Sequence, residues 1–509
     1  MAKEILKGRE ARERVKAGVD RAADAVAPTL GAVGMTALIE WPGLDPVTAD
    51  DGITILRNLE FADPYENMGL QLLKKGGMRS SAEGGDGTAT TTVLTQALAS
   101  AAFEEVGEDS YKIRSVRERL DAGLVEALAY LDTLSVPVED KDIERIAEVS
   151  SLDADVAKLV AEAVRTVGST GAITVEKGAK LGYYLETVRG LRFEKGLISP
   201  YFINDHENTQ TVLTDPYVIL VDRTVSLNEQ IIPLLTDIGI GTHILLVATD
   251  VQGMALASLA KNAMQGIATI ACVMNPYNAS PARDFLFDLA ALTGATVVSE
   301  EKGMRLEDMR KDVCGRAEKV TVTRDRTTII GGKGNPGERV KELQTKLEST
   351  TSDFQKGELK DRLAALTGGI GVIRVGVYTD TEYNAKKYKF DNAISSTQAA
   401  MQEGILPGGG IALMEAGNQH SDSMFSEAML APFNQMCENA GMEKCKNAEG
   451  KGYGIDFVLG ETVHMMKAGI VDPHKVVRTA LESAVAITKH LISFETAITV
   501  VKDTDGKTA

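Results

Sequence analysis

The sequence is close to a palindrome in kind. Along its 509 residues an α-rich stretch gives way to a mixed one, then to an α/β one, then to a mixed and finally an α-rich one. A chain that revisits each kind of structure in reverse order builds nested insertions: an inner domain within a middle one, within an outer one. The length agrees, because one hydrophobic core does not extend over 509 residues. No repeat of fixed period is present.

In the outer layer Val15, Val19, Ala22, Ala23 and Val26 recur at helical spacing between Arg9 and Ala27, and Pro28 stops that helix. Thr36–Trp41 and Ile53–Leu56 read as short strands. Glu66–Lys75 reads as a helix ending at Gly76-Gly77, and a glycine loop from Gly84 to Gly87 opens a helix from Thr88 to Glu105. Further helices reach Leu134. Pro137 marks a boundary, followed by helices to Val167, the strand Ala172–Val175 and a second boundary at Gly190. Val218–Val221, Ile244–Val247 and Thr269–Val273 are apolar runs separated by helical segments, the pattern of buried, partly parallel strands. Two amphipathic helices, with Val340, Leu343 and Leu347 and with Leu359, Leu363 and Leu366, close this part before Gly368-Gly369. The strand Val372–Val375, the Gly408–Gly410 triplet, an α-rich stretch and a last strand near Thr496–Lys502 follow.

Composition excludes several classes of function. The net charge of −17 argues against a general nucleic-acid binder and repels anionic membranes. No apolar run reaches the ~20 residues needed to span a bilayer. Met1–Glu4 runs straight into charged residues rather than a signal peptide, so a cytoplasmic location is expected. With aromatics at 5% and Trp41 the single tryptophan, the core must be mainly aliphatic. Cys272, Cys314, Cys437 and Cys445 form no CxxC pair and read as free thiols. The histidines at 206, 243, 420, 464, 474 and 490 form no HExxH, and no Ser/His/Asp arrangement stands out.

The strongest local signal is Gly84-Gly85-Asp86-Gly87-Thr88-Ala89-Thr90-Thr91-Thr92. Glycines let backbone approach a phosphate, and the unpaired N–H groups of a helix start favour an anion. Asp86 makes sense there with a Mg²⁺ between it and the phosphate. No Walker motif GxxxxGK[ST] occurs. Gly332-Lys333-Gly334-Asn335-Pro336-Gly337 matches GxGxxG, but the strand read before it, Val320–Arg326, alternates and so is half exposed, unlike the first strand of a dinucleotide fold. Thr29-Leu30-Gly31, Asp50-Asp51-Gly52, Pro407-Gly408-Gly409-Gly410 and Val471-Asp472-Pro473 are further turns of small or acidic residues. Singly each is an ordinary turn; together on one α-rich domain they can converge on a nucleotide.

In order and spacing these turns match one family. The chain resembles group I (GroEL-type) chaperonin subunits over nearly its full length, through ENMGLQ (Glu66–Gln71), GDGTATTTVL (Gly85–Leu94), SPYFIN (Ser199–Asn204), ALTGATVVSEE (Ala291–Glu301), EGILPGGG (Glu403–Gly410) and GIVDPHKVVRTAL (Gly469–Leu481). The resemblance implies a multi-domain α and α/β fold: a helical equatorial ATPase domain from 1–135 and 404–509, a small α/β intermediate domain from 136–189 and 370–403, and an α/β apical domain over 190–369. Pro137, Gly190, Gly368-Gly369 and Gly404 would be its hinges. It also implies ATP-driven folding of non-native polypeptides in a heptameric ring, single or double. ATP and Mg²⁺ would be the cofactors, with K⁺ optional, and neither nucleic acid nor membrane would be a partner.

By position, the resemblance lines the phosphates with Thr29, Leu30 and Gly31, beside Ala32 and Asp50. Asp86 would hold Mg²⁺, and Gly87, Thr88 and Thr90, with Ala89 between them, would face phosphate oxygens. Gly408, Gly409, Asp456, Phe457, Val458, Ile470 and Asp472 would surround adenine and ribose. Leu197, Tyr201, Phe202, Ile232, Leu235, Leu256 and Ala260 would form the apolar surface for clients.

The departures from the family gather where ATP is cleaved. Asn392 stands where the family has the aspartate that polarises the attacking water; it keeps the shape but takes no proton. Asp391 precedes it, and Asp51, the other carboxylate near the water, is kept, so slow cleavage with Asp51 as the chief catalytic carboxylate is expected. Asp50 replaces a lysine, Ala32-Val33 a Pro-Lys pair, and Ala89 a threonine. Opposite charges persist at Lys195 and Asp380, Asp153 and Lys389, and Glu403 and Arg478, matching inter-domain or inter-subunit pairs. The segment from Glu415 to Ser426 is shorter than in the family and Asn434 replaces an arginine of the ring–ring contact, so a weakened ring–ring interface that lets single rings be populated is expected. Lys261 replaces an apolar residue of the apical groove, which weakens the expectation of a GroES-type lid. Such divergence suits a host-independent, for example viral, version. Two other readings stand beside folding: a ring holdase switched by ATP with little hydrolysis, and a small-molecule kinase or ligase, for which no acceptor site is visible.

Overall fold

Residues Met1–Glu162 and Tyr378–Ala509 pack as one unit and Ala163–Val377 as another, so the inner part of the chain is an insertion into the outer. The computed structural model describes residues 3–40, 46–168, 171–205, 209–277, 279–299, 301, 303–350, 353–442 and 450–500. Trp41, His206 and Cys445 lie outside the described residues.

The first segment runs β1 (Lys3–Lys7), α1 (Gly8–Val26), β2 (Ala37–Ile39), β3 (Val47–Ala49), α2 (Gly52–Asn58), α3 (Pro64–Gly84), α4 (Thr88–Val106), α5 (Ile113–Leu134), α6 (Asp140–Ser151) and α7 (Ala154–Val167). Two expectations fail here for clear reasons. Ile53–Leu56 is helical, although its β-branched residues favour a strand, because Asp51 caps the helix start by accepting from the N–H groups of Ile53 and Thr54. Helix α3 runs through Gly76-Gly77 instead of ending there. A Cβ on Gly76 would lie 2.2 Å from Ile487 Cδ1, and one on Gly77 3.0 Å from Leu56 Cδ1, so these glycines serve close packing rather than a stop.

The inserted unit carries β4 (Ala172–Lys177), β5 (Gly182–Val188), β6 (Gly190–Phe193), β7 (Thr211–Thr214), β8 (Tyr217–Val225), α8 (Ile232–Ile238), β9 (His243–Val251), α9 (Gly253–Met264), β10 (Thr269–Met274), α10 (Ala279–Thr293), β11 (Val297–Val298), β12 (Gly315–Arg316), β13 (Lys319–Val322), β14 (Thr327–Ile330), α11 (Gly337–Ser349), α12 (Asp353–Gly368) and β15 (Ile370–Gly376). Strands β10, β9, β8 and β11 are parallel, with β12 antiparallel on β8. Aliphatic clusters cover both faces of this sheet, as its continuous apolar runs require. Strands β6, β14, β13 and β7 form an antiparallel sheet, and β15 lies between β4 and β5. The expected strand Val320–Arg326 therefore ends at Val322. The strand before the GxGxxG match is β14, which is buried, contrary to the half-exposed reading. It is antiparallel to both neighbours, so the match is still no dinucleotide fold. Gly332 and Gly334 instead stand close against the Leu292 and Ala291 carbonyls.

The chain then returns through α13 (Asp380–Glu403), β16 (Ile405–Pro407), α14 (Ile411–Gln419), α15 (Ser423–Met429), α16 (Ala431–Asn439), β17 (Tyr453–Asp456), β18 (Glu461–His464), α17 (Met465–Ala468), β19 (Val471–Pro473), α18 (His474–Ser493) and β20 (Thr496–Val500). Helix α18 packs on α3, α4 and α5, and β20 pairs antiparallel with β1. The core of this unit is aliphatic, with Leu94, Leu98, Leu120, Leu131 and Leu481 around Phe425. Among the described residues no helix is long and apolar enough to cross a membrane.

Helices α1 and α3 approach backbone to backbone: a Cβ on Gly18 would lie 1.8 Å from the Glu66 carbonyl oxygen, and one on Gly69 1.9 Å from that of Val15. Gly69→Ala should therefore lower unfolding stability by about 1–3 kcal/mol, read as a lower denaturation midpoint.

Candidate nucleotide site

Four turns of the outer unit converge on the start of α4. Gly85 (φ 85°) ends α3 and Gly87 (φ 92°) caps α4, both in the left-handed region that favours glycine. A Cβ on Gly85 would lie 2.4 Å from Ser395 Cβ of α13, and one on Gly87 2.9 Å from Val476 Cγ1 of α18. Asp86 Oδ1 accepts from the Gly87 N–H at 2.7 Å, and Ser80 Oγ donates to the Asp86 carbonyl. Thr88 is buried, while Ala89 and Thr90 are half-buried. The start of α2 meets this loop: a Cβ on Gly52 would lie 3.4 Å from Ala89 N and from Thr88 Cγ2. Asp50, one residue outside the cap, is exposed.

Among the described residues Asp51, Asp86 and Asp472 are in no ion pair and act on one another instead. Burial raises the Asp86 pKa; its bond from Gly87 opposes this, and the charge of Asp51 adds to the rise. Asp472 is pushed up to about 7, by burial first and by Asp86 second. Strand pairing places Asp472 opposite Leu406, just before the glycine triplet. Among the described residues no group of three or more His, Cys, Asp or Glu is arranged to hold a metal. Mutually repelling aspartates beside a helix start are donors whose chemistry would suit a hard divalent cation such as Mg²⁺.

The third side is a turn and an apolar cluster. Thr29 Oγ1 donates to the Val26 carbonyl, and Asn439 Nδ2 donates to the carbonyls of Ala27 and Leu30, pinning the Thr29–Gly31 turn. A Cβ on Gly31 would strike Met436, and Ala32 is exposed. Leu30, Phe457 and Ile470 share one apolar cluster with Phe433, Met436 and Met465. The Gly408 N–H donates to the Ile470 carbonyl, and a Cβ on Gly409 would lie 2.8 Å from Met465 Cε. Asp456 spends Oδ1 on the N–H groups of Val458 and Leu459, and Val458 is exposed.

Helix α13 covers the loop. Ser395 touches Gly85, and Asn392 and Tyr388 lie one and two turns away on the same stripe. Asn392 is half-buried. Asp391 is held by Lys387 at 2.6 Å. Sequence reasoning missed Ser395, Tyr388 and Asn439; a lone residue of these types inside a helix gives no motif to find.

The other expected residues are placed as follows. Glu403 takes a forked pair from Arg478 at 3.0 and 2.7 Å and lies 3.2 Å from His474 Nδ1; burial opposes ionisation, but these bonds hold its pKa below the usual range. Asp153 pairs with Lys386 at 2.7 Å rather than with the expected Lys389, which lies half-buried one helical step from Tyr388. Asp380 is exposed and Lys195 half-buried.

In the inserted unit, Tyr201 (61%) and Ile232 (46%) are exposed, and Leu197, Leu235 and Leu256 are half-buried. Phe202 (2%) and Ala260 (8%) are core side chains instead. Ser199 caps the 3₁₀ turn Pro200–Phe202, which sends Tyr201 outward and Phe202 inward. Leu227, Met254 and Met264 are exposed apolar residues that sequence reasoning did not single out.

The fold is that of a multi-domain protein of helical and α/β parts, with a glycine-capped loop at the start of α4, and comparison with known proteins gives the class. The description of the TCP-1/cpn60 chaperonin family fits residues 22–233 and 230–502. The chain belongs to that family, whose members are ATP-dependent protein-folding machines, and within it is a divergent group I type. The chaperonin gp146 from the bacteriophage EL 2 (Pseudomonas aeruginosa), crystallised in the presence of ATP-BeFx, has a similar fold. Crystal form II gives a TM-score of 0.70 at 19% identity and form I 0.64 at 20%, each over 98% of this chain and 99% of that one.

Between its ordinary 3.8 and about 7, the raised Asp472 makes the folded chain bind more protons than the unfolded one. Its contribution to stability therefore falls as pH rises across that window. Asp472→Asn should flatten the loss of melting temperature between about pH 5 and 8 in nucleotide-free protein, and should reduce the melting shift given by Mg·ATP.

Proposed function

We propose that the chain is an ATP-driven chaperonin subunit that binds Mg·ATP between the α4 start and Asp86, cleaves it slowly, and uses the cycle to fold non-native polypeptides. The observation that carries this reading is the convergence of Asp51, Asp86 and Asp472 on a glycine-capped helix start covered by α13. Asp86 would hold Mg²⁺, the N–H groups of Thr88 to Thr90 would face the phosphates, and Leu30, Gly409, Phe457 and Ile470 would flank the base. Asp51 spends one oxygen on the α2 cap, and its other oxygen receives the proton of the attacking water. Asn392 orients that water without taking its proton.

The apolar side chains exposed around α8 and α9, with Tyr201, Ile232, Met254 and Met264, hold clients without reading their sequence. The inserted unit and its flanks divide further into an intermediate part (136–189 and 370–403) and an apical part (190–369). Hinge motion at Gly190 and Gly368-Gly369 withdraws the client surface. A ring holdase with little hydrolysis is the second reading, favoured by Asn392.

Two measurements test this. Phosphate release should fall about 100-fold in Asp51→Ala with Mg·ATP binding retained, and rise about tenfold in Asn392→Asp. Loss in Asp391→Ala but not in Asp51→Ala moves the role to Asp391. Refolding yield that is equal with ATP and a non-hydrolysable analogue favours the holdase. Native mass spectrometry should show seven-membered single rings; double rings that persist with nucleotide refute the weakened stacking.

A further inference from the structure

Helix α9 turns to solvent a face on which one charge stands among methionines. Met254, Lys261 and Met264 are spaced i, i+7 and i+10, which sets them on one stripe of about three turns. Met254 is 63% exposed and Met264 68%. Lys261 is exposed between them, and among the described residues it makes no ion pair and no side-chain hydrogen bond. The opposite stripe, Ala255, Leu259 and Ala260, belongs to the core, which fixes the direction of the exposed one. The same region exposes Tyr201, on the 3₁₀ turn that packs on α9, and Ile232, at the start of α8.

No described carboxylate of the surrounding elements answers this cation. Lys261 is the one charged residue of α9. Asp237, the one charged residue of α8, accepts from the Lys311 N–H at 2.8 Å. Glu307 and Asp308 stand with Arg305. Glu229 sits on a turn anchored at the first turn of α9, where the Ala255 N–H donates to the Ser226 carbonyl, well short of Lys261 along the helix. A lysine in an apolar stripe lays its methylenes along the neighbours and keeps its ammonium in water. A bound residue that covers the ammonium must meet it with a carboxylate, or hydration is lost without return. The methionines are flexible and accept many apolar shapes, so they set affinity and the ammonium sets preference. The net charge of −17 repels an acidic segment, and Lys261 is the local group that offsets this.

We propose that this face selects clients by charge: it takes non-native segments in which a glutamate or aspartate stands among large apolar residues, with the carboxylate on Lys261 and the apolar side chains on Met254 and Met264. The inference rests on the reading of this surface as the one that holds clients. To an apolar surface that reads no sequence, Lys261 adds one chemical preference. A basic residue at the same place of the segment is disfavoured.

The test uses the assembled, nucleotide-free protein and three fluorescein-labelled peptides that differ at one central position, Glu, Gln or Lys, among leucines, read by anisotropy at low and high salt. The Glu peptide should bind about fivefold tighter than the Gln peptide, and the Lys peptide more weakly than either. The preference should vanish in Lys261→Met and in Lys261→Gln, invert in Lys261→Glu, and shrink at high salt. Equal binding of the three peptides to the wild-type chain, or a preference that survives Lys261→Met, overturns the role of Lys261. Peptide binding that weakens as the protein is concentrated assigns the face to a second copy of the chain and overturns it too. No peptide binding at all, or binding that Tyr201→Ser and Met254→Ser leave unchanged, instead overturns the reading of this surface as the client surface, and the charge selection with it.

Discussion

The close approach at Gly85 and Gly87 is the constraint on which the outer unit depends. Each glycine sits in a left-handed conformation, and each is pressed by a different helix, α13 on one side and α18 on the other. A side chain at either position would strain the backbone and push a neighbouring helix away. The loop is thus the point where three helices are pinned. A change in this small segment is therefore felt by all the packing around it.

Electrostatics act against that packing. Asp51 acts on Asp86 and Asp86 on Asp472, with no ion pair among the described residues to offset them, and the latter two are held above the usual carboxylate range. Elsewhere the protein neutralises enclosed carboxylates with care. Asp288 is buried and takes both Arg339 and Arg362, and Glu403 takes Arg478. The uncompensated cluster stands out against that habit, and a strained electrostatic arrangement in a fold that otherwise avoids it marks a functional place.

Much of this was legible in the sequence, and the rest was hidden for physical reasons. The glycine loop, the parallel strands and the nested order were readable because period and turn chemistry are local signals. Ile53–Leu56 was misread because β-branched residues speak for a strand while a single cap, Asp51, decides for a helix. Gly76-Gly77 was misread because a glycine that ends a helix and one that admits a neighbour look alike in sequence. Phe202 was assigned to a surface by position in a motif, and a capped 3₁₀ turn sends it inward. The contribution of α13 was invisible because Ser395 acquires meaning only from what it faces.

The pairing of β1 with β20 sets an order on synthesis. Residues Lys3–Lys7 have no strand partner among the described residues until Thr496–Val500 has been made. The inserted unit, Ala163–Val377, is complete more than a hundred residues earlier. On the ribosome the inner unit can close while the outer one still waits, open, with the apolar faces of α1 and α3 uncovered by α18. A subunit of a folding machine thus spends much of its own birth as an incomplete chain with exposed core, the condition its family relieves in others.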